Sequence, residues 1–191
     1  CDATSKSGYN QGDTYKIQMS GINTVGSRTT ICSSGAMDGG ITRDGAWLGE
    51  AYGGLHVYEI ATSTMKDISG GVQHCNSSME PTGEHKILSL RNGHTEVDLM
   101  TRSGTSWNRT SFHTSKIDRA YWQTPEWSTD HNYFTALGTN NDNQGPYDIY
   151  IVKMDSDTNL KVVTTSDNYF QHHLYVGDTG SSGPSLSLST T

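Results

Sequence analysis

Gln73 and His74, Gln123, and Gln171 with His172 and His173 recur along the chain. Aromatic neighbours accompany them: Tyr121 and Trp122 in one case, Tyr169 and Phe170 in another. Amides and imidazoles supply hydrogen-bond donors and acceptors, and an aromatic face stacks on the apolar side of a sugar ring. Brought to one place, Gln73, His74, Tyr121, Trp122, Gln123, Tyr169, Phe170, Gln171 and His172 would form a carbohydrate-binding mouth. The competing reading is structural: repeated aromatics make core, and repeated glutamines cap exposed backbone.

Other chemistries find less support. The 8 histidines invite a metal, chiefly at His172, His173 and His74. Neighbouring residues on a strand point to opposite faces, so His172 and His173 cannot share one ion without a bend. There is no HExxH and no CxxC pair, so neither a transition-metal site nor a cofactor is expected. Asp142, Asp155 and Asp157 lie in polar stretches and could hold Ca²⁺ weakly, without the spacing of an EF-hand. A glycosidase would need facing carboxylates. The candidates are Asp38, Asp44, Glu50, Glu80, Glu126 and Asp130, of which Asp44 and Asp130 read as turn formers. No GxSxG elbow is present, and no Lys-Ser/Thr follows the glycines between Gly35 and Gly40.

The net charge of -7, without a run of Lys or Arg, argues against nucleic acid as a partner. No apolar stretch approaches a membrane-spanning length. Three cysteines, Cys1, Cys32 and Cys75, suggest an oxidising compartment with one disulfide and one sulfur left over. The sequons at Asn76 and Asn108 would accept N-glycans in a eukaryotic secretory protein. An extracytoplasmic location is therefore expected. Cys1 is open to three readings: a lipid-anchored residue, a bond to another chain, or simply the place where the chain begins.

The elements that must position these residues are short strands. Hydrophobic residues make up only 32% of 191, with 21 glycines, which suits strands wet on one face and joined by many turns. Turn chemistry opens three similar segments, Thr42–Leu48, Pro81–Leu88 and Ser128–Phe134. An alternating strand follows each: Leu55–Ile60, Glu96–Met100 and Tyr147–Met154. Tyr15–Met19 alternates as well. A second register aligns Tyr121–Trp127 with Tyr169–Tyr175, Val72–Cys75 and, loosely, Thr30–Cys32. It puts Cys32, Cys75, Pro125 and His173 at one repeat position, spaced by 43, 50 and 48 residues, the range of a propeller blade.

Pro125-Glu126-Trp127-Ser128-Thr129-Asp130, followed by Tyr147–Val152, resembles the TolB-type propeller repeat. The match is clearest over residues 121–165. In the earlier repeats Met79, and Gly39 or Gly40, stand where the tryptophan would be. The resemblance implies an all-β propeller of about four blades, or a segment of a larger one. Residues 13–31 would supply outer strands and Leu174–Val176, with Ser185–Leu188, inner strands of a blade holding both termini. The expected divisions are a tail at 1–12, the propeller at 13–179 and a Gly/Ser-rich segment at 180–191. Equivalent positions in adjacent blades lie closest near the axis, so a Cys32–Cys75 disulfide is expected, two buried thiols being the alternative.

Three functions follow as expectations. The first is non-catalytic binding of a glycan or protein ligand at the channel mouth. The second is a fibre subunit that forms homo-oligomers by exchanging terminal strands. The third is a carbohydrate-active enzyme or a fragment of one.

Overall fold

The computed structural model describes residues 14–19, 25–32, 38–51, 54–113, 117–142, 144–154, 159–164 and 174. Every described element is a strand, paired antiparallel with its sequence neighbour. Strands β1 (Thr14–Met19) and β2 (Val25–Cys32) make a two-stranded sheet. Three four-stranded sheets follow. Blade one holds β3 (Asp38–Ile41), β4 (Trp47–Ala51), β5 (Leu55–Glu59) and β6 (Thr64–Asp67). Blade two holds β7 (His74–Met79), β8 (Lys86–Arg91), β9 (Glu96–Ser103) and β10 (Ser106–His113). Blade three holds β11 (Tyr121–Trp127), β12 (Tyr133–Thr139), β13 (Asp148–Lys153) and β14 (Asn159–Thr164). The alternating strands expected from the sequence all form, to within a residue or two at their ends, except that β9 runs three residues further. The C-terminal strands expected at 174–176 and 185–188, and the 1–12 and 180–191 divisions, fall outside the described residues but for Leu174.

A single sheet cannot bury both of its faces, so the core lies between blades. Leu88, Leu90, Val97 and Phe112 of blade two pack against Trp122, Trp127, Phe134, Ala136 and Tyr150 of blade three. Ala51, Leu55 and Val57 of blade one pack against Met79, Ile87 and Met100 of blade two. Each fully buried large side chain contributes about 1.5–3 kcal/mol to that association. Glycine sets the spacing of the first pair: a Cβ on Gly40 would stand 2.7 Å from the Met79 backbone nitrogen.

The turns leaving the inner strands share one wiring. Thr42 Oγ1 donates to Asp44, whose carboxylate accepts the Ala46 N–H at 3.0 Å. Ser128 Oγ donates to Asp130, which accepts the Asn132 N–H at 3.2 Å. In blade two the partners trade places. Thr82 Oγ1 donates to Glu80, whose carboxylate accepts the Glu84 N–H at 2.9 Å. Gly45, Gly83 and His131 hold the same left-handed turn position, with φ of 69°, 90° and 57°. The tryptophan position of the repeat falls on Trp127, Met79 and Ile41, since Ile41 pairs with Leu48 as Trp127 pairs with Phe134. Blade one therefore substitutes Ile41 there rather than Gly39 or Gly40. The glycines precede it because a side chain would meet the Gly49 backbone of β4 at Gly39 and the neighbouring inner strand at Gly40.

Candidate functional site

The opposite end of the inner strands carries the less regular chemistry. His74 at the start of β7 pairs with Arg91 at the end of β8, so the turn at 92–95 sits beside Cys75. Asn92, Gly93 and His94 have φ of 52°, 58° and 68°. Left-handed backbone costs a non-glycine residue about 1–3 kcal/mol, and here it turns the imidazole inward. His94 Nε2 lies 3.0 Å from Cys75 Sγ. The His94 carbonyl accepts the Trp122 N–H at 2.7 Å, pinning the turn to blade three.

Blade three builds the same contact from different residues. Both inner strands carry a bulge, at Asn76 and at Thr124, each with positive φ. The strand pairings then place Gln123 where blade two has Cys75, and Asp142 lies, like His94, in the turn that follows the second strand. Gln123 Nε2 donates to Asp142 Oδ1 at 2.9 Å, and both pairs span 19 residues. The pairs also join each other, because His94 Nδ1 lies 2.5 Å from Asp142 Oδ1. Gln123 Nε2 is 2.8 Å from His94 Nδ1 as well. With both nitrogens carrying protons, that closeness reflects two donors converging on one carboxylate oxygen. The result is a chain from thiol to imidazole to carboxylate.

Burial alone would push the Cys75 thiol up, but hydrogen bonding and charge, with His94 foremost, hold the thiol below its ordinary value. Burial likewise opposes charge on His94, yet its bond to the sulfur, with Asp142 behind it, raises the imidazole. The chain therefore shifts the pair toward thiolate and imidazolium. His74, by contrast, is lowered chiefly by burial and meets only the Ser89 hydroxyl, at 2.9 Å. The two histidines flanking this strand end thus prefer different charge states.

The expected mouth residues separate into two groups. Trp122 is wholly buried, with its ring against Phe134 and Tyr150 at centroid distances of 6.2 and 6.0 Å. His74 and Gln123 are buried as well, while Tyr121 is half-buried and Gln73 exposed. Tyr169, Phe170, Gln171 and His172 lie outside the described residues. The expected Cys32–Cys75 bridge is not made: Cys75 is a free, buried thiol, turned toward His94 of its own blade. Asn108 stands exposed on edge strand β10, whereas Asn76 is half-buried at its bulge. Among the described residues no group of three His, Cys, Asp or Glu side chains could hold a metal ion. The frame that aligned Cys75 with Pro125 is displaced by two residues. It followed Gln73 and Gln123, whereas the inner strands of blades two and three are offset by 48. That spacing superposes Met79 on Trp127, Cys75 on Gln123 and His94 on Asp142, and it was the signal that would have found the site.

No protein-family model matches the chain, and no curated protein matches it. Solved structures do. The β-propeller domain of Cps50 (Swd1) from Myceliophteria thermophila is similar with a TM-score of 0.54 and 10% identity, over 73% of this chain and 48% of that one. A putative TolB from Agrobacterium tumefaciens gives a TM-score of 0.52 and 17% identity, over 72% and 50%. The fold is a β-propeller. Its TolB-like character, expected from residues 121–165, agrees with the second neighbour. The chain spans about half the length of either structure. A propeller hosts many functions, so the likeness speaks for the scaffold and leaves function to the site. No helix among the described residues is long and apolar enough to cross a membrane.

Proposed function

We propose that this propeller is a non-catalytic, extracytoplasmic binding domain whose ligand surface is the loop face of blades two and three, and that the ligand is carbohydrate. One observation carries the reading: Gln73, Asn92, Asn141 and Gln144 are exposed along one face, with Tyr121 half-buried beside them. Their loops are held to each other through the backbone of His94 and the carboxylate of Asp142. Amides on a rigid rim donate to and accept from sugar hydroxyls with little ordering cost. A half-exposed tyrosine ring adds a stacking face. Asn108, open on its edge strand, suits a glycan-bearing position.

A glycan array followed by calorimetry on the best hit tests this. The Tyr121→Ala/Gln144→Ala pair is expected to weaken binding at least tenfold without shifting the denaturation midpoint of the core. Silence of the unmodified protein across neutral and acidic glycans would overturn the carbohydrate assignment.

A further inference from the structure

The Cys75–His94–Asp142 chain goes unused by a purely polar rim. We propose that Cys75 is an oxidation site, a thiolate nucleophile that His94 and Asp142 hold ready for hydrogen peroxide. The argument rests on geometry. The sulfur lies 3.0 Å from an imidazole nitrogen, the other ring nitrogen 2.5 Å from a carboxylate, and Gln123 fixes that carboxylate from the next blade. Nucleophile, base and orienting group in this order are what activate a thiol. In blade three the same two positions hold Gln123 and Asp142, which make an equivalent hydrogen bond without a nucleophile. A structural tie at this place therefore has no need of sulfur.

Burial selects the electrophile. Cys75 is 3% and His94 1% exposed, which excludes peptides, thioesters and other bulky acyl donors and favours a small uncharged oxidant. The Asp142 side chain is 39% exposed, so the far end of the chain exchanges protons with water. In the step itself the Cys75 sulfur attacks one peroxide oxygen, forming S–O as O–O breaks. The sulfur gives up two electrons and becomes a sulfenic acid. The departing hydroxide takes the His94 Nε2 proton and leaves as water. The imidazole then regains a proton by way of the Asp142 side. On the same strand end His74 faces the charges of Asp98 and Arg91 and is lowered chiefly by burial, so it is the weaker candidate for the role of cation.

The test treats the full chain with hydrogen peroxide in the presence of dimedone. Peptide mass spectrometry then follows the adduct at Cys75 beside those at Cys1 and Cys32, with a short cysteine peptide as reference. Between pH 6 and 8 the Cys75 rate is expected to rise clearly less steeply than the peptide's, which climbs about tenfold per pH unit toward its pKa of about 8.5. At pH 6 Cys75 should lead by at least about tenfold, a lower thiolate nucleophilicity offsetting part of the gain. His94→Gln is expected to abolish the lead. Asp142→Asn, an exposed change that leaves the fold intact, is expected to reduce it several-fold and steepen the pH slope. A Cys75 rate that follows the peptide's, labelling that needs denaturant, or an unchanged rate in His94→Gln or in Asp142→Asn would each overturn the assignment.

Discussion

Blades two and three perform the same structural task at the loop end with different chemistry. An inner-strand side chain reaches 19 residues ahead to the next turn in both, as Cys75 to His94 in one and as Gln123 to Asp142 in the other. One pair is a reactive couple and the other an inert amide–carboxylate contact. The turn end shows the reverse. There the hydroxyl–carboxylate pair is kept in all three blades, even where Glu80 and Thr82 exchange the roles held by Ser128 and Asp130. Repetition marks what the blades need in order to pack, and departure from it marks where chemistry has been added.

The comparison can be broken most severely at Trp127. Its indole N–H donates to the Ser78 carbonyl at 2.8 Å and its ring joins the core between the two blades. Trp127→Ala should cost about 3–5 kcal/mol in urea denaturation. Glu80→Ser should come next, at about 2–3 kcal/mol, since it removes a buried carboxylate that accepts several hydrogen bonds. Adding Thr82→Asp rewires blade two as blade three is wired and should recover about half of that loss. A double variant no more stable than Glu80→Ser alone would show the two turns to be inequivalent.

At the loop end, Cys75→Gln with His94→Asp copies the blade-three pair into blade two. It should fold with a midpoint change of no more than about 2 kcal/mol and lose all peroxide labelling at position 75. The smallest effect belongs to Asp118. The Lys161 ammonium, then the Tyr150 hydroxyl, hold its carboxyl down to about 2. Its stabilising share is complete above the ordinary carboxylate value of about 4 and fades as the pH falls through about 2. Asp118→Asn should therefore flatten the acid limb of the stability profile there. At neutral pH it should cost under about 1 kcal/mol, the side chain being largely exposed.

Much of this architecture is legible in the chain. Thr42–Asp44 and Ser128–Asp130 announce their turns, and the alternation at Leu55–Ile60 and Tyr147–Met154 announces the strands, because local sterics and one-sided burial decide both. The site is less legible. Cys75, His94, Gln123 and Asp142 obey no short motif, since two blades and two loops bring them together. Gln73 and Gln123 look alike in sequence, yet with the bulges at Asn76 and Thr124 superposed Gln73 takes the place of Tyr121 at the rim and Gln123 that of Cys75 inside. Trp122 has the composition of a sugar platform but the position of a core residue. Nothing in its type separates the two, because an indole serves equally well in either place.

The Arg43 N–H donates to the Pro81 carbonyl of the following blade at 2.6 Å, and the Thr129 N–H donates to the Leu174 carbonyl at 3.2 Å. These joints run forward along the chain and use peptide atoms alone. A coupling made of peptide groups asks of its donor position only that it not be proline, and Pro81, which stands there in blade two, accepts such a bond but cannot donate one. Side chains at the far end of a blade are then free to differ, amide in one and thiol in another, while the blades stay joined.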